Sequence, residues 1–289
     1  MPLFQSNLEP EVQDALRLLI RANHILHNHA LVDAFGHISI RHPTNPSTYI
    51  ISSYTPGAPA LVSNAEHFIQ YNIGDSTPTS PPEPQGYSER FIHGEIFRRF
   101  PKVNCVVHSH SESVIPFVSA GVPIKPLWHM AGFLGAEGVP VFDAGDVCRR
   151  EGLPDRDMLI KNAALGSALA ECFAFSEEQG SVEVLRPVVM QAKHGFTCVG
   201  PTIQRAVYRA VYLQKNCELL SRSMQLRGGV AEGVSYLNEE EAKSCEIMNE
   251  KTEDKAFRLW LKEVQINPLY SNEEGEPEGL SVGGMNPDK

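Results

Sequence analysis

The sequence predicts a single α/β or α+β domain, because segments with helical and strand-like patterns are interleaved along the chain. Apolar residues recur at helical spacing over residues 10–29 and again over residues 202–226. Between these helices, short β-branched runs such as the one that leads into His108 predict strands. The chain has 289 residues, of which 42% are hydrophobic, so it can bury a sizeable core.

In the N-terminal half, Pro10 suits the first turn of the first helix. Ile38 and Ile40 then alternate with polar residues, which predicts a strand, and the turn TNPST joins it to a second strand, YIISS, in a hairpin. Residues 67–73 are a third strand candidate. Residues 76–86 are rich in Pro, Ser and Thr, which predicts an irregular loop.

After this loop, a helix is predicted over residues 89–100 with Ser88 as its N-cap, which places Glu89 and His93 one turn apart. The run VNCVVHSH that follows predicts a strand. Further helices are predicted over residues 159–173, 202–226 and 239–263, and strands over residues 182–190 and 195–199. The Gly-, Glu- and Pro-rich end of the chain, residues 271–289, is predicted to be disordered.

Charge and composition limit the class of partner. The chain has 25 Lys and Arg against 35 Asp and Glu, a formal net charge of −10, which argues against nucleic-acid binding. No apolar run is long enough to span a bilayer, and the N-terminus lacks a signal-peptide pattern. The six cysteines are scattered without CxxC spacing, which is typical of reduced thiols in a cytoplasmic protein.

Three histidines are the candidate metal ligands. His108 and His110 are two apart on a predicted strand, so their side chains share one face, about 6.5 Å apart along it. A third ligand has to come from elsewhere, and His194 is the best candidate because it lies at a turn beside Gly195. Three imidazoles with an open position are typical of a catalytic metal site. The alternative is that His-Ser-His is only the polar end of a strand.

Glu89, at the start of its helix, is a candidate general acid or base, or a metal ligand in the resting state. The simpler interpretation is a solvated glutamate that the helix dipole stabilises. Further candidates for proton donation are His129 and Tyr208, each of which is more often a buried structural residue. Residues that can line a substrate site or bind a carboxylate are Gly36, His37, Ser39, Arg41, Ser88 and Lys193, and for these an ordinary strand, turn or surface role is the alternative.

Four segments in order resemble the class II aldolase/adducin family: DAFGHISIRHP, SERFIHGEIFRRFPKVNCVVHSHS, LWHMAGFLGAEGVPVFD and KHGFTCVGPTIQRAVYRAVYLQKNCEL. They extend from about residue 11 to residue 226, and the long block that ends in His-x-His is the specific one. The resemblance implies an α/β/α single domain with a central, mostly antiparallel sheet over residues 1–230. A C-terminal helical extension over residues 231–270 would follow.

The resemblance also implies a site and an assembly. One divalent metal ion per subunit, Zn, Mn or Fe, would bind His108, His110 and His194, with Glu89 as catalytic acid/base and sometime ligand. The chain would form a homotetramer with active sites at subunit interfaces.

The details of the match favour one branch of the family. His37 stands where sugar-phosphate aldolases of the family have Asn, and ISSYTPGAPALVS replaces their phosphate-binding turn. The sequence therefore resembles the metal-dependent decarboxylases of hydroxylated aromatic or pyridine dicarboxylates, and the expected substrate is a small carboxylate. A retro-aldolase, an Fe(II)-dependent oxygenase of the same fold and a non-catalytic adducin-like interaction module remain alternatives.

Overall fold

The computed structural model describes residues 8–80, 86–154, 156–173, 175–178 and 181–277. Its centre is a seven-stranded sheet with the strand order β3-β2-β1-β4-β9-β8-β5, and β6 and β7 form a separate hairpin. The strands are β1 (His37–Arg41), β2 (Thr48–Ser52), β3 (Phe68–Asn72), β4 (Cys105–Ser109), β5 (Val141–Phe142), β6 (Phe175–Glu178), β7 (Ser181–Val184), β8 (Val188–Gln191) and β9 (Gly195–Gly200). All pairings in the large sheet are antiparallel except that of β5 with β8.

Eight α-helices and three 3-10 helices lie in the described part of the chain. The α-helices are α1 (Pro10–Asn28), α2 (Arg90–Arg99), α3 (Ile115–Ser119), α4 (Ala144–Arg150), α5 (Ala163–Glu171), α6 (Ile203–Leu226), α7 (Glu239–Glu250) and α8 (Glu253–Gln265). The 3-10 helices are Pro59–Leu61, Ala65–His67 and His129–Leu134. Among the described residues, no helix combines the length and apolar character needed to cross a membrane.

Helices cover both faces of the sheet, because successive residues of a strand point to opposite faces. On β4, Val107 packs into a core with α1, α6 and α8, whereas Val106 packs into a second core with α2, α4 and α5. This α/β/α arrangement with a mostly antiparallel sheet is the fold that the sequence predicts. The alternation also places His37, Ser39 and His108 on the α2 side of the sheet.

After residue 230 the chain forms α7 and α8, and α7 packs against the rest of the fold. Gly132, in the 3-10 helix His129–Leu134, lies so close to α7 that a Cβ there would overlap the carbonyl oxygen of Ala242. The extension is two helices rather than the one predicted over residues 239–263, because the chain turns at Lys251 and Thr252.

The last described residues also differ from expectation. Residues 271–277, part of the segment predicted to be disordered, lie along α1, where the Arg21 guanidinium forms an ion pair with the Glu276 carboxylate. Residues 278–289 fall outside the described residues, so the prediction of disorder there is untested.

Two further local predictions were wrong. Ser88 is not the N-cap of α2: the N-cap position is Glu89, whose side chain makes no capping hydrogen bond. The strand predicted over residues 182–190 is two strands, β7 and β8, which belong to different sheets. The six cysteines, all within the described residues, are free thiols.

Candidate metal centre and active site

Four side chains converge at one end of the central strands. Glu89, His108, His110 and His194 each offer a ligand atom, and these atoms all lie within 4.8 Å of one another. The Nε2 atoms of His108 and His110 are 3.0 Å apart. Glu89 Oε2 lies 3.7 Å from His108 Nε2 and 3.6 Å from His194 Nε2. Three imidazoles and a carboxylate are a ligand set that suits a divalent transition metal.

Backbone pairing explains why residues so far apart in sequence meet here. His108 on β4 pairs with His37 on β1 and with Thr197 on β9. Gly195 opens β9 so close to β4 that a Cβ there would overlap the carbonyl oxygen of Ser109. A glycine at this position therefore lets the β8–β9 turn, which carries the third histidine, approach the end of β4.

His108 is held in the form that binds a metal ion, and His194 has ring nitrogens without a partner. His108 Nδ1 lies 3.1 Å from the carbonyl oxygen of Phe196, so the Nδ1–H donates to the backbone and the lone pair of Nε2 points into the cluster. Burial and the neighbouring His194 hold the pKa of His108 well below its usual value, so its ring is neutral. Both ring nitrogens of His194 are buried without a hydrogen-bond partner among the described residues. Such orphaned nitrogens are expected where an ion binds.

The Glu89 carboxylate is oriented by the backbone of another segment. Its Oε1 accepts a hydrogen bond from the amide of Ile160 at 3.0 Å, while its Oε2 faces the histidines. The side chain is only 8% exposed. Glu89 is therefore not a solvated residue at a helix end, and its free oxygen is available for proton transfer or for a metal.

His93 lies behind the cluster, and the sequence did not single it out as a functional residue. His93 on α2 is completely buried and bridges Ser39 and His37. The helical spacing of Glu89 and His93 is visible in the sequence, but it does not reveal that β1 lies against the same face of α2.

Gly36 and His37 adjoin the centre. Gly36 has a φ of +82°, and a Cβ there would lie 2.7 Å from Val32 Cγ1, so the position favours glycine. His37 Nε2 is 4.0 Å from Glu89 Oε2. The His37 ring also packs against that of Tyr87, with centroids 4.8 Å apart.

The structure places the other proposed substrate-binding residues in different environments. The Arg41 guanidinium donates hydrogen bonds to the backbone carbonyls of Pro46, Phe97, Phe100 and Val103. These bonds tie the end of β1 to α2 and to the loop that follows it. Ser39 is fully buried. Ser88 is exposed beside Glu89. Lys193, in the β8–β9 turn, is exposed, and its Nζ lies 3.4 Å from Asp143 Oδ2.

The two predicted proton donors contact other parts of the fold. Tyr208 on α6 is buried, its hydroxyl donates to the carbonyl oxygen of Met130, and burial raises the pKa of this phenol far above its ordinary value. His129 is exposed, and the carbonyl oxygen of its backbone accepts from Asn249 Nδ2. Through these hydrogen bonds Tyr208 joins α6, and His129 joins α7, to the 3-10 helix His129–Leu134.

Space for a small molecule adjoins the cluster. A cleft of about 440 Å³ is lined by His110, Asp33, Glu112 and Gln214, among other residues. A cavity of this size next to buried titratable groups is typical of a site for a small ligand.

Comparison with known proteins agrees with this fold. The sequence profile of the Class II Aldolase and Adducin N-terminal domain matches residues 17–221. The chain therefore belongs to the class II aldolase and adducin family, and its decarboxylase relatives make it an enzyme of the lyase class.

The particular relatives include named decarboxylases. The decarboxylase tropJ of Talaromyces stipitatus is 39% identical over 264 residues, which cover 89% of this chain and 96% of the relative. The 3,4-dihydroxyphthalate decarboxylase of Terrabacter sp. strain DBF63 is 30% identical over 63% of this chain and 69% of its own length.

Among solved structures, L-fuculose 1-phosphate aldolase from Glaciozyma antarctica PI12 has a TM-score of 0.64 at 19% identity and covers 94% of this chain and 97% of its own. At that identity the likeness concerns the fold alone.

Proposed function

We propose that this protein is a metal-dependent decarboxylase of a small hydroxylated aromatic carboxylate. The observation that carries the proposal is the convergence of the His108, His110 and His194 rings on the Glu89 carboxylate. The names of the relatives support decarboxylation, and one of those names specifies a dihydroxylated aromatic dicarboxylate.

A divalent ion would be held by the three histidine rings, with Glu89 as a fourth ligand in the resting state. It would supply a Lewis acid that stabilises the electron pair left when the carbon–carbon bond breaks. Zn, Mn and Fe all suit imidazole ligands, and ligand type alone does not choose among them.

Glu89 carries the proton in this proposal. Its Oε2 takes the proton of the substrate hydroxyl and returns it to the ring carbon that bears the departing carboxylate. Loss of CO2 then restores the aromatic ring as a phenolate, which takes a proton from solvent. The hydrogen bond from the Ile160 amide to Oε1 keeps Oε2 directed at the centre during both transfers.

An aromatic substrate also suits the surroundings of the centre. Tyr87 packs on His37, and the half-exposed Tyr54 packs on Tyr87 with ring centroids 6.2 Å apart. Aromatic rings favour offset or edge contacts with another aromatic ring.

We further propose that the chain assembles as a homotetramer, as the family resemblance implies.

The experiment is product analysis with metal-loaded protein. A panel of hydroxylated aromatic carboxylates, beginning with 3,4-dihydroxyphthalate, is incubated with protein loaded with Zn, Mn or Fe(II), and CO2 and the decarboxylated phenol are measured. We expect release of CO2, and we expect Glu89→Gln to reduce kcat by at least ~10²-fold because the amide cannot carry the proton.

Extending the panel to hydroxy-ketone aldols, and repeating it without O2, separates the alternatives. Aldehyde release from hydroxy-ketone aldols would replace the proposal with a retro-aldolase, and strict dependence on O2 would replace it with an oxygenase. A folded protein that holds no metal and turns over no compound would favour the adducin-like module. Retention of full turnover in Glu89→Gln would refute the role assigned to this carboxylate.

A further inference from the structure

Three buried side chains, Ser39, His93 and His37, form a hydrogen-bonded triad that leads from the interior of the sheet to Glu89. Ser39 Oγ lies 2.5 Å from His93 Nδ1, and His93 Nε2 lies 2.7 Å from His37 Nδ1. The nitrogen at the outer end of this triad, His37 Nε2, lies 4.0 Å from Glu89 Oε2. None of the three residues is more than 2% exposed.

The hydrogen bonds of this triad run in one direction, from Ser39 through His93 to His37. Within the described chain, His93 Nδ1 is the only hydrogen-bond partner of Ser39 Oγ, so the hydroxyl has to donate or its hydrogen would be buried without an acceptor. His93 then carries its hydrogen on Nε2 and donates to His37 Nδ1. His37 is left with its own hydrogen on Nε2.

The same direction continues from ring to ring, because a ring nitrogen that accepts a hydrogen bond carries no hydrogen and leaves the hydrogen on the other nitrogen. Burial lowers the pKa of His93 to about 3, so this ring has a single N–H. The opposite direction would also turn the lone pair of His37 Nε2 towards the Glu89 carboxylate, where two electron-rich atoms would repel each other.

We infer that Ser39 and His93 are positioning residues that hold His37 as an Nε2–H donor for an oxygen of the substrate, and this role rests on the proposed function. A separation of 4.0 Å is too long for a hydrogen bond to Glu89, so the N–H is available to a bound carboxylate or hydroxyl oxygen. No proton moves in this role: the ring orients the substrate beside the carboxylate that does transfer one.

The first test needs neither substrate nor metal. Magic-angle-spinning ¹⁵N spectra of histidine-labelled protein distinguish protonated from unprotonated ring nitrogens, and His37→Asn and His93→Gln assign the signals. We expect His37 and His93 both as Nε2–H tautomers, and we expect Ser39→Ala to mix the tautomers of both. His37 with its hydrogen on Nδ1 in the unaltered protein would overturn the inference, whether or not the proposed reaction is found.

The second test is kinetic, with 3,4-dihydroxyphthalate or whichever compound of the panel releases CO2. Ser39→Ala and His93→Leu should each lower kcat/KM by roughly 10- to 100-fold while the bound metal per subunit stays unchanged. Ser39→Thr keeps the hydroxyl and should restore most of the rate.

The matched control is Tyr49→Phe, which removes a fully buried hydroxyl from the adjacent strand β2, where it donates to the carbonyl oxygen of Arg90. This variant should keep the tautomers and kcat/KM. An equal loss of kcat/KM in Tyr49→Phe and Ser39→Ala, or no loss in Ser39→Ala, would show that the triad has only a packing role.

Discussion

At the scale of single residues, the chemistry of the centre depends on which ring nitrogens are occupied. The carbonyl oxygen of Phe196 engages His108 Nδ1 and leaves Nε2 for the cluster. The ring of His194 has no such partner on either nitrogen within the described residues. No hydrogen bond therefore compensates for the burial of its two nitrogens. An ion at the centre would compensate it.

The corresponding prediction concerns metal content. We expect His194→Ala to lose nearly all bound divalent metal, because it removes one of three imidazole ligands. Elemental analysis of the purified variant measures this. His42→Ala is the matched control, since His42 lies in the turn after β1 and its ring accepts from the amides of Thr44 and Asn45. Equal metal in the two variants would remove His194 from the ligand set.

The sequence makes part of this site predictable and hides the rest. His108 and His110 stand out because both lie in one short segment, and His194 because the family resemblance selects it. The role of His93 cannot be predicted in this way, since it depends on the packing of α2 against β1. Arg41 shows the converse: a cation near the site in sequence binds backbone carbonyls because β1 ends beside the loop that follows α2.

At the scale of elements, α1 buries a histidine among groups of both charges. His24 is fully buried: its Nε2 lies 2.7 Å from the carbonyl oxygen of Val62, and its Nδ1 lies 3.4 Å from an Arg21 nitrogen. Glu276 and His27 also face it. Burial, in spite of the bond to Val62, lowers the pKa of His24 to about 4.

Because the pKa of His24 is lower in the folded chain than in the unfolded chain, acid should weaken the fold. The unfolded chain takes up a proton near pH 6.5 and the folded chain only near pH 4, so stability is complete above pH 6.5 and falls towards pH 4. The loss should reach about 3 kcal/mol over that window. Urea unfolding at stepped pH measures it, and in His24→Gln this component should be missing. The same slope in both proteins would contradict the prediction.

Helices with a long periodic pattern of apolar residues were predicted well from the sequence. Short helices, whose position depends on local hydrogen bonds, were not. The patterns over residues 10–29 and 202–226 give α1 and α6 nearly to their ends. The short helix α4 has too few residues for a periodic signal; it begins where the side chain of Asp143 accepts hydrogen bonds from the amides of Gly145 and Asp146.

At the scale of the whole molecule, the centre joins segments that are distant along the chain. Glu89 stands at the start of α2, His108 and His110 at the end of β4, and His194 in the β8–β9 turn. An unfolded chain cannot hold these side chains together, so metal binding at this centre would be coupled to folding. The same coupling would not arise from an ion bound to neighbouring residues on the surface.

The last prediction follows from this coupling. Metal-stripped protein should gain thermal stability when Zn, Mn or Fe(II) is added, by about 2.7 kcal/mol at a free concentration 100 times Kd. For a chain of this size that corresponds to a rise in Tm of roughly 4–5 °C. The rise should be absent in His194→Ala and retained in His42→Ala, and scanning calorimetry with and without EDTA measures both. An equal rise in the two variants would place the stabilising ion elsewhere, because only a site that spans α2, β4 and the β8–β9 turn makes the gain depend on His194.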